Sequence, residues 1–504
     1  MALLWISLLC VVLGYLLLRR PKSGKCHLTP SPPRLPIIGN LHQLGPQPQR
    51  SLQALSQKHG PLLLLYFGSM PVLVASDNDS AQAVLKTHDR VLANRPSLII
   101  PDHIFYKGKD LVFAKYGEYW RQVKKICILH LFSAKQVESF RSVREEEVFL
   151  MIENIFKLCS GPVDLSRVFR STTNNIVSRV ALGKKYYEEK QSRGLEFMQL
   201  LEELMVLMGA FHIGDIFPSL AWIGKLTGLD ARLKRNSKGW NDFLEQVIED
   251  HVTKRRANGE DEGRDFVDVL LEIRETGEMG FPIERDHIKA LILDMFVAGT
   301  DTTYTVMEWT MAELMRRPAI IKKAQREVRT VSQGNSEVTE KDLPLLPYLK
   351  SVIKETLRLH PPVPLLVPRE AMQDVEIGEY RVPAKTRVMV NVWAIGRDPK
   401  LWEDAEAFKP ERFMDAGSID LIKKHYFRFI PFGAGRRSCP GGPFALTAVE
   451  LAIANLLNSF EWELPDGELP PGELDMAEAC GITLRKKTPL RAVATPFQEN
   501  VFRI

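Results

Sequence analysis

Pro431-Phe432-Gly433-Ala434-Gly435-Arg436-Arg437-Ser438-Cys439-Pro440-Gly441 is the most informative stretch of the chain. Glycines at 433, 435 and 441 let the backbone turn tightly and approach a flat ligand closely. A cysteine held in such a loop, with Arg436 and Arg437 beside it, has reasons to ionise. Two arginines and three glycines also make a poor hydrophobic packing site, which weighs against a merely structural cysteine. Gly433-x-Gly435 opens like a dinucleotide fingerprint, but Ser438 stands at the third glycine position, so no nicotinamide site follows.

The other cysteines, at 10, 26, 127, 159 and 480, form no Cys-x-x-Cys pair. Their scatter argues against a zinc site and a disulfide framework, and for a reduced, cytosol-facing body. The composition is 45% hydrophobic and 26% charged, which is that of a globular protein. A net charge of +5 is too small to suggest nucleic-acid binding.

Leu3 to Leu18 carries no charge, and Arg19, Arg20, Lys22 and Lys25 follow at once. From Met1 the apolar stretch spans roughly 27 Å of helix, enough for a thin reticulum bilayer. No basic residue precedes it and no Ala-x-Ala site closes it, so an uncleaved transmembrane anchor over residues 1–20 is expected. The basic flank places the body in the cytosol, on the endoplasmic reticulum membrane. Residues 21–40, including Pro30-Ser31-Pro32-Pro33-Arg34-Leu35-Pro36, read as a stiff basic and proline-rich linker. Residues 41–504 read as one body without an internal linker.

Within that body, Leu62–Phe67 and Val72–Ala75 flank Gly68-Ser69-Met70-Pro71 and predict a hairpin. Pro282 to Arg317 is the longest helical pattern, with Ile288, Leu291, Ile292, Met295, Phe296 and Val306 on one face. Lys254–Arg264 reads as a charged surface loop. A second strand-rich patch covers Val375–Val392. Mainly α with smaller β-sheet regions is the fold class expected.

A thiolate presented by the cysteine loop is the electron-donating axial ligand that favours O–O cleavage at haem iron. The loop resembles the cytochrome P450 haem-binding motif Phe-x-x-Gly-x-Arg-x-Cys-x-Gly at every fixed position. Three further stretches resemble family motifs in the right order. They are Ala298-Gly299-Thr300-Asp301-Thr302-Thr303, Glu355-x-x-Arg358 and Pro410-Glu411-Arg412-Phe413. With the proline hinge and Trp120, the whole body is most similar to plant microsomal (A-type) P450s of specialised metabolism. The resemblance implies haem b held between a long central helix and the cysteine loop, with Cys439 as iron ligand.

It also implies roles for particular residues. Asp301 and Thr302 would be catalytic, delivering protons to iron-bound dioxygen, although a mid-helix threonine commonly bonds back to the preceding turn. Trp120, Lys124, Arg369 and Arg437 would meet the haem propionates, and Phe432 and Cys439 would complete the cofactor site. Lys124 stands where the family usually has arginine, and it lacks the bidentate fork. Glu355, Arg358 and Arg412 would form a buried supporting triad. The expected substrate-facing wall comprises Ile104, Phe105, Val112, Phe113, Phe211, Met295, Val297, Ala298, Val363, Leu365, Leu366, Val367, Cys480 and Ile482.

The function implied is a monooxygenase that inserts one atom of O2 into a small hydrophobic molecule. A terpenoid or alkaloid is favoured, and a phenolic is the other class. Electrons would come from NADPH through NADPH–cytochrome P450 reductase, because no flavin or nicotinamide domain is recognisable. A basic patch of Lys124, Lys125, Lys135 and Arg436 would dock that partner. Membrane lipid is a further partner, and nucleic acid is not. The competing readings are a P450-fold isomerase or dehydratase that needs no reductase, and a non-enzymatic haem protein.

Overall fold

The computed structural model describes residues 29–159, 161–185, 192–258, 265–277, 282–414, 427–465 and 471–497. The expected anchor and residues 21–28 of the linker lie outside them. Among the described residues no helix is long and apolar enough to cross a membrane.

The body is mainly helical with small sheets. Its long helices are α1 (Pro48–His59), α2 (Glu118–His130), α3 (Arg141–Leu158), α4 (Leu165–Leu182), α5 (Ser192–Met208) and α6 (Leu229–Asn258), then α7 (Phe266–Thr276), α8 (Arg285–Met315), α9 (Pro318–Ser332), α10 (Pro347–Leu359) and α11 (Gly442–Ser459). The largest sheet has the order β1-β2-β4-β3, with β1 at Leu62–Phe67, β2 at Met70–Ala75, β3 at Arg369–Glu370 and β4 at Arg387–Val390. β1 and β2 form the expected hairpin, pairing from Leu62↔Ala75 to Phe67↔Met70. The turn is only Gly68-Ser69, so Met70 and Pro71 belong to the strand. Gly68 has φ +61°, and a Cβ there would come within 2.7 Å of the Phe217 ring. β4 adds to β2 in parallel, bringing the strand-rich patch at 387–390 beside the N-terminal hairpin.

The described part of the proline segment, expected as a stiff linker, folds back onto the body. Pro30 accepts from the Leu64 amide at 2.9 Å, Leu35 bridges Gly39, and buried Asn40 accepts from the Tyr66 amide at 2.8 Å. β1 is an edge strand whose outward N–H groups need acceptors, and the folded-back segment supplies them. The charged stretch from Lys254 also departs from expectation: α6 continues to Asn258. Lys254-Arg255-Arg256-Ala257 are good helix formers, and residues 259–264 lie outside the described set.

The central helix α8 starts on a reciprocal cap in which the Glu284 amide donates to His287 Nδ1 at 2.9 Å. It is buried on every side, including Lys289, Asp294, Asp301, Glu308 and Glu313. A helix surrounded in this way shows no single apolar stripe. One core packs α8 with α3, α9, α10 and α11; a second packs it with α2, α4, α5, α6 and α7. Between them α8 also borders an internal cavity.

Candidate haem and substrate cavity

The cavity has a volume of about 570 Å³ and runs between α8 and the loop 431–441. Ala298, Gly299 and Thr302 border it from α8, and Phe432, Gly433 and Cys439 from the loop. Ala298 is exposed although it lies in the middle of a buried helix, so its methyl faces open space within the protein. Cys439 likewise sits deep in the body with its side chain bare toward the cavity.

Local geometry explains the loop. Gly433 (φ +65°) and Gly435 (φ +71°) take the left-handed conformation, and the Cys439 amide donates to Phe432 O at 3.0 Å. A Cβ on Gly435 would collide with the Leu85 carbonyl and the Asp89 carboxylate. Asp89 clamps this turn. It accepts from the Arg436 amide at 2.9 Å, pairs with Arg436 Nη1 at 3.0 Å, and pairs with Arg369 Nη1 at 2.8 Å.

Burial pushes the Cys439 thiol above its ordinary range. The Gly441 and Gly442 amides at the start of α11 and the Lys124 charge pull it partly back. The expectation that Arg436 and Arg437 ionise it is therefore corrected. Arg436 turns to Asp89 and Tyr116, and Arg437 donates to the carbonyls of Ala93, Leu111 and Ala114. A coordinated metal cation is what deprotonates such a thiol outright.

The polar rim fits a dianionic flat cofactor. Arg95, Arg369, Arg437, Lys124 and Trp120 all border the cavity. Arg437 is lowered to about 9, first by burial and then by Arg369; Arg95 is lowered by burial, Arg437 and Arg369. Among the described residues Arg95 bonds only to carbonyls, those of Val112 (2.8 Å), Val367 (2.6 Å) and Pro368 (2.8 Å). This excess of buried positive charge is what two propionates would balance. Lys124 donates to the Arg436 carbonyl and lies 5.1 Å from the Trp120 ring centre. Trp120 Nε1 donates to Leu111 O at 3.0 Å. Sequence reasoning missed Asp89 and Arg95.

The structure also brings Glu355, Arg358 and Arg412 together. Arg358 donates to both Glu355 oxygens at 2.7 Å each, and Arg412 Nε reaches Glu355 Oε1 at 3.0 Å. Thr302 Oγ1 donates to Ala298 O at 2.6 Å. Asp301 is buried and does not itself border the cavity; it accepts from Thr483, which does.

Of the expected substrate wall, Phe105, Val112, Phe113, Met295, Val297, Ala298, Val363, Leu366, Val367 and Ile482 line the cavity. Four residues do not. Ile104 is packed in the core, and Leu365 packs beneath the β1–β2 hairpin. Phe211 is 65% exposed at the surface, and Cys480 contacts Gln49 on an edge strand. Asp294, Leu291, Val177 and Thr483 line it instead, from helix faces and a strand end without a local signal.

The family model for cytochrome P450 matches residues 29–490. This chain belongs to the cytochrome P450 family. It is 50% identical over 505 residues to cytochrome P450 71A4 of Solanum melongena, covering 98% of this chain and 99% of that one. Cytochrome P450 71A1 of Persea americana is 53% identical over 460 residues, 90% and 91% of the two chains. Norfluorocurarine oxidase of a Strychnos species is 50% identical over 474 residues, 92% and 91%. A zebrafish cytochrome P450 solved with abiraterone superposes with a TM-score of 0.76 at 27% identity, over 90% of this chain and all of that one. The chain is therefore a plant A-type P450, a haem-thiolate monooxygenase whose cofactor is haem b. When bound, the haem would supply the oxygen-activating chemistry, and Cys439 is the residue that would hold it. The protein would frame that chemistry with a largely apolar wall, a cationic rim and the Thr302 side chain, all of which border the cavity with Cys439.

Proposed function

We propose that this P450 oxidises a small hydrophobic plant specialised metabolite, a terpenoid or alkaloid in preference to a phenolic. Electrons come from NADPH through NADPH–cytochrome P450 reductase, and residues 1–20 anchor the body at the endoplasmic reticulum membrane. The carrying observation is that Ala298, Thr302 and Cys439 border one cavity walled mostly by apolar side chains. Such a wall suits a substrate recognised by burial and shape, with a few polar groups fixing its orientation. Exposed Lys125, Lys135 and Arg436 lie on α2, on the segment after it, and on the cysteine loop. They support the basic docking face for an acidic partner.

In this reading Cys439 ligates the iron, and Trp120, Lys124, Arg95, Arg369 and Arg437 serve the propionates. Thr302, now bonded to Ala298 O, turns its hydroxyl to hold water for proton transfer, and Asp301 communicates with the cavity through Thr483. Turnover of terpenoid, alkaloid and phenolic panels, with and without reductase, tests the assignment. Product formed without reductase would favour the isomerase or dehydratase reading. Thr302→Val keeps side-chain shape, so NADPH oxidation should continue while product per NADPH falls and peroxide rises. An unchanged ratio would remove Thr302 from the mechanism.

A further inference from the structure

Asp110 lies in the loop before α2, and Asp294 lies one helical turn before Ala298 on α8. Asp110 is wholly buried and Asp294 nearly so. Asp294 Oδ2 accepts from the Leu111 amide at 2.6 Å, and Asp110 Oδ2 accepts from the Phe113 amide at 2.6 Å. The remaining oxygen of each, Oδ1, is enclosed and has no hydrogen-bond partner among the described residues. Asp294 is thus bonded to the residue next to Asp110, which brings the two buried carboxyls side by side. Two carboxyl groups bond to one another only when one of them carries a proton.

We propose that Asp110 and Asp294 share a single proton and act as a clasp that positions the Leu111–Phe113 wall of the substrate cavity against the central helix. Burial, then the charge of Asp110, holds Asp294 well above the carboxylate range, while burial lifts Asp110 to about 6. The titration belongs to the pair, and two buried like charges side by side favour keeping one proton between them. Arg437 and Arg95 face the Asp110 side and favour its charged form. Tyr119 and Cys127 face the pair from α2, and burial followed by the nearby carboxylates raises both, so they stay neutral.

The clasp matters because the backbone of one residue, Leu111, serves both halves of the site. The Leu111 amide is held by Asp294, while its carbonyl accepts from Trp120 Nε1 at 3.0 Å and Arg437 Nη1 at 3.2 Å. Leu111, Val112 and Phe113 all line the cavity. Removing the shared proton places two like charges together in a buried position, and the loop then separates from α8. Asp110 and Asp294 are thus positioning residues: they act on the substrate through the wall they hold.

The test uses the full-length haem-loaded protein and compares wild type with Asp294→Asn, Asp110→Asn and Asp294→Leu. An asparagine at either position donates to the other carboxylate and keeps the bond without a titrating proton; leucine keeps the bulk but not the bond. Infrared difference spectra at neutral pH should show a protonated-carboxyl C=O stretch in wild type that is lost in both asparagine variants. Amide hydrogen exchange across 110–116 should stay near wild type in Asp294→Asn and be faster by roughly tenfold or more in Asp294→Leu. Corrected for intrinsic rates, protection in wild type should decline toward alkaline pH and be flat in Asp294→Asn. A C=O stretch missing from wild type, or retained in both asparagine variants, would overturn the shared proton. Equal protection in the leucine and asparagine variants would overturn the clasp.

Discussion

Glu355→Ala should cost this enzyme its haem before it costs it its fold. Arg358 is 1% exposed, and among the described residues its five hydrogen bonds comprise two to Glu355 and three to the carbonyls of Gly396, Ala405 and Ala407. Alanine leaves those carbonyls but removes the only carboxylate among these contacts, and it frees Arg412 from the same partner. Breaking a buried pair on one side costs about 3–5 kcal/mol. Unfolding entropy near 2 cal/mol/K per residue amounts to about 1 kcal/mol/K for a chain of this size. The melting temperature should therefore fall by only about 3–5 °C. The damage is concentrated elsewhere. Both arginines lean on Trp402, at 5.3 and 5.9 Å, and Trp402 and Phe413 pack on Phe429 at 6.4 and 5.0 Å, just before the cysteine loop. Haem per polypeptide, read from the pyridine haemochrome, should drop roughly tenfold or more if that cost falls on the loop. Glu355→Gln, which still accepts one bond, should lose less. Full haem content with a thiolate-type carbon monoxide spectrum and loss of turnover alone would refute the supporting role.

Gly435→Ala should also yield little haem-loaded protein, because a Cβ there meets the Leu85 carbonyl and Asp89; a normal carbon monoxide difference spectrum would contradict this. Cys439→Ser should abolish the thiolate-type spectrum while leaving the fold intact by circular dichroism, and retention of that spectrum would remove Cys439 as ligand. His251 joins α6 to the start of α7, its nitrogens lying 2.7 Å from the Val247 carbonyl and 2.7 Å from Asp265. Burial opposes charge on this ring, but the Asp265 bond and charge outweigh it and raise its pKa. Its stabilisation is then full below about pH 6.5 and lost as pH rises through the raised value. The urea stability gap between wild type and His251→Gln should shrink toward alkaline pH; a gap that widens would refute the charged pair.

What was legible in the sequence differs from what was not by how far each interaction reaches along the chain. The cysteine loop and the Glu355–Arg358 pair are built within one turn or one helix face, so the residues of each lie together in the sequence, where their resemblance to family motifs shows them. Asp89 and Arg95 act across more than 270 residues, on Arg436 and Arg369 and on the carbonyls of Val367 and Pro368, and nothing beside them in sequence announces a partner. Sequence spacing also misleads where a side chain's direction depends on tertiary packing. Leu365 and Leu366 are adjacent, yet Leu366 (φ +52°) lines the cavity and Leu365 packs under the hairpin. Phe211 and Cys480 share the apolar character of the wall but end up at the surface. The central helix inverts the usual rule as well: surrounded on all sides, it buries carboxylates, and its few open positions mark the cavity. Ala298 carries no chemistry of its own, and its being open inside a buried helix is what locates the space in front of Cys439. Asp294, one turn earlier, is hidden from sequence reasoning for the same reason: its meaning lies in Asp110, a loop residue that only the packing of the fold brings to it.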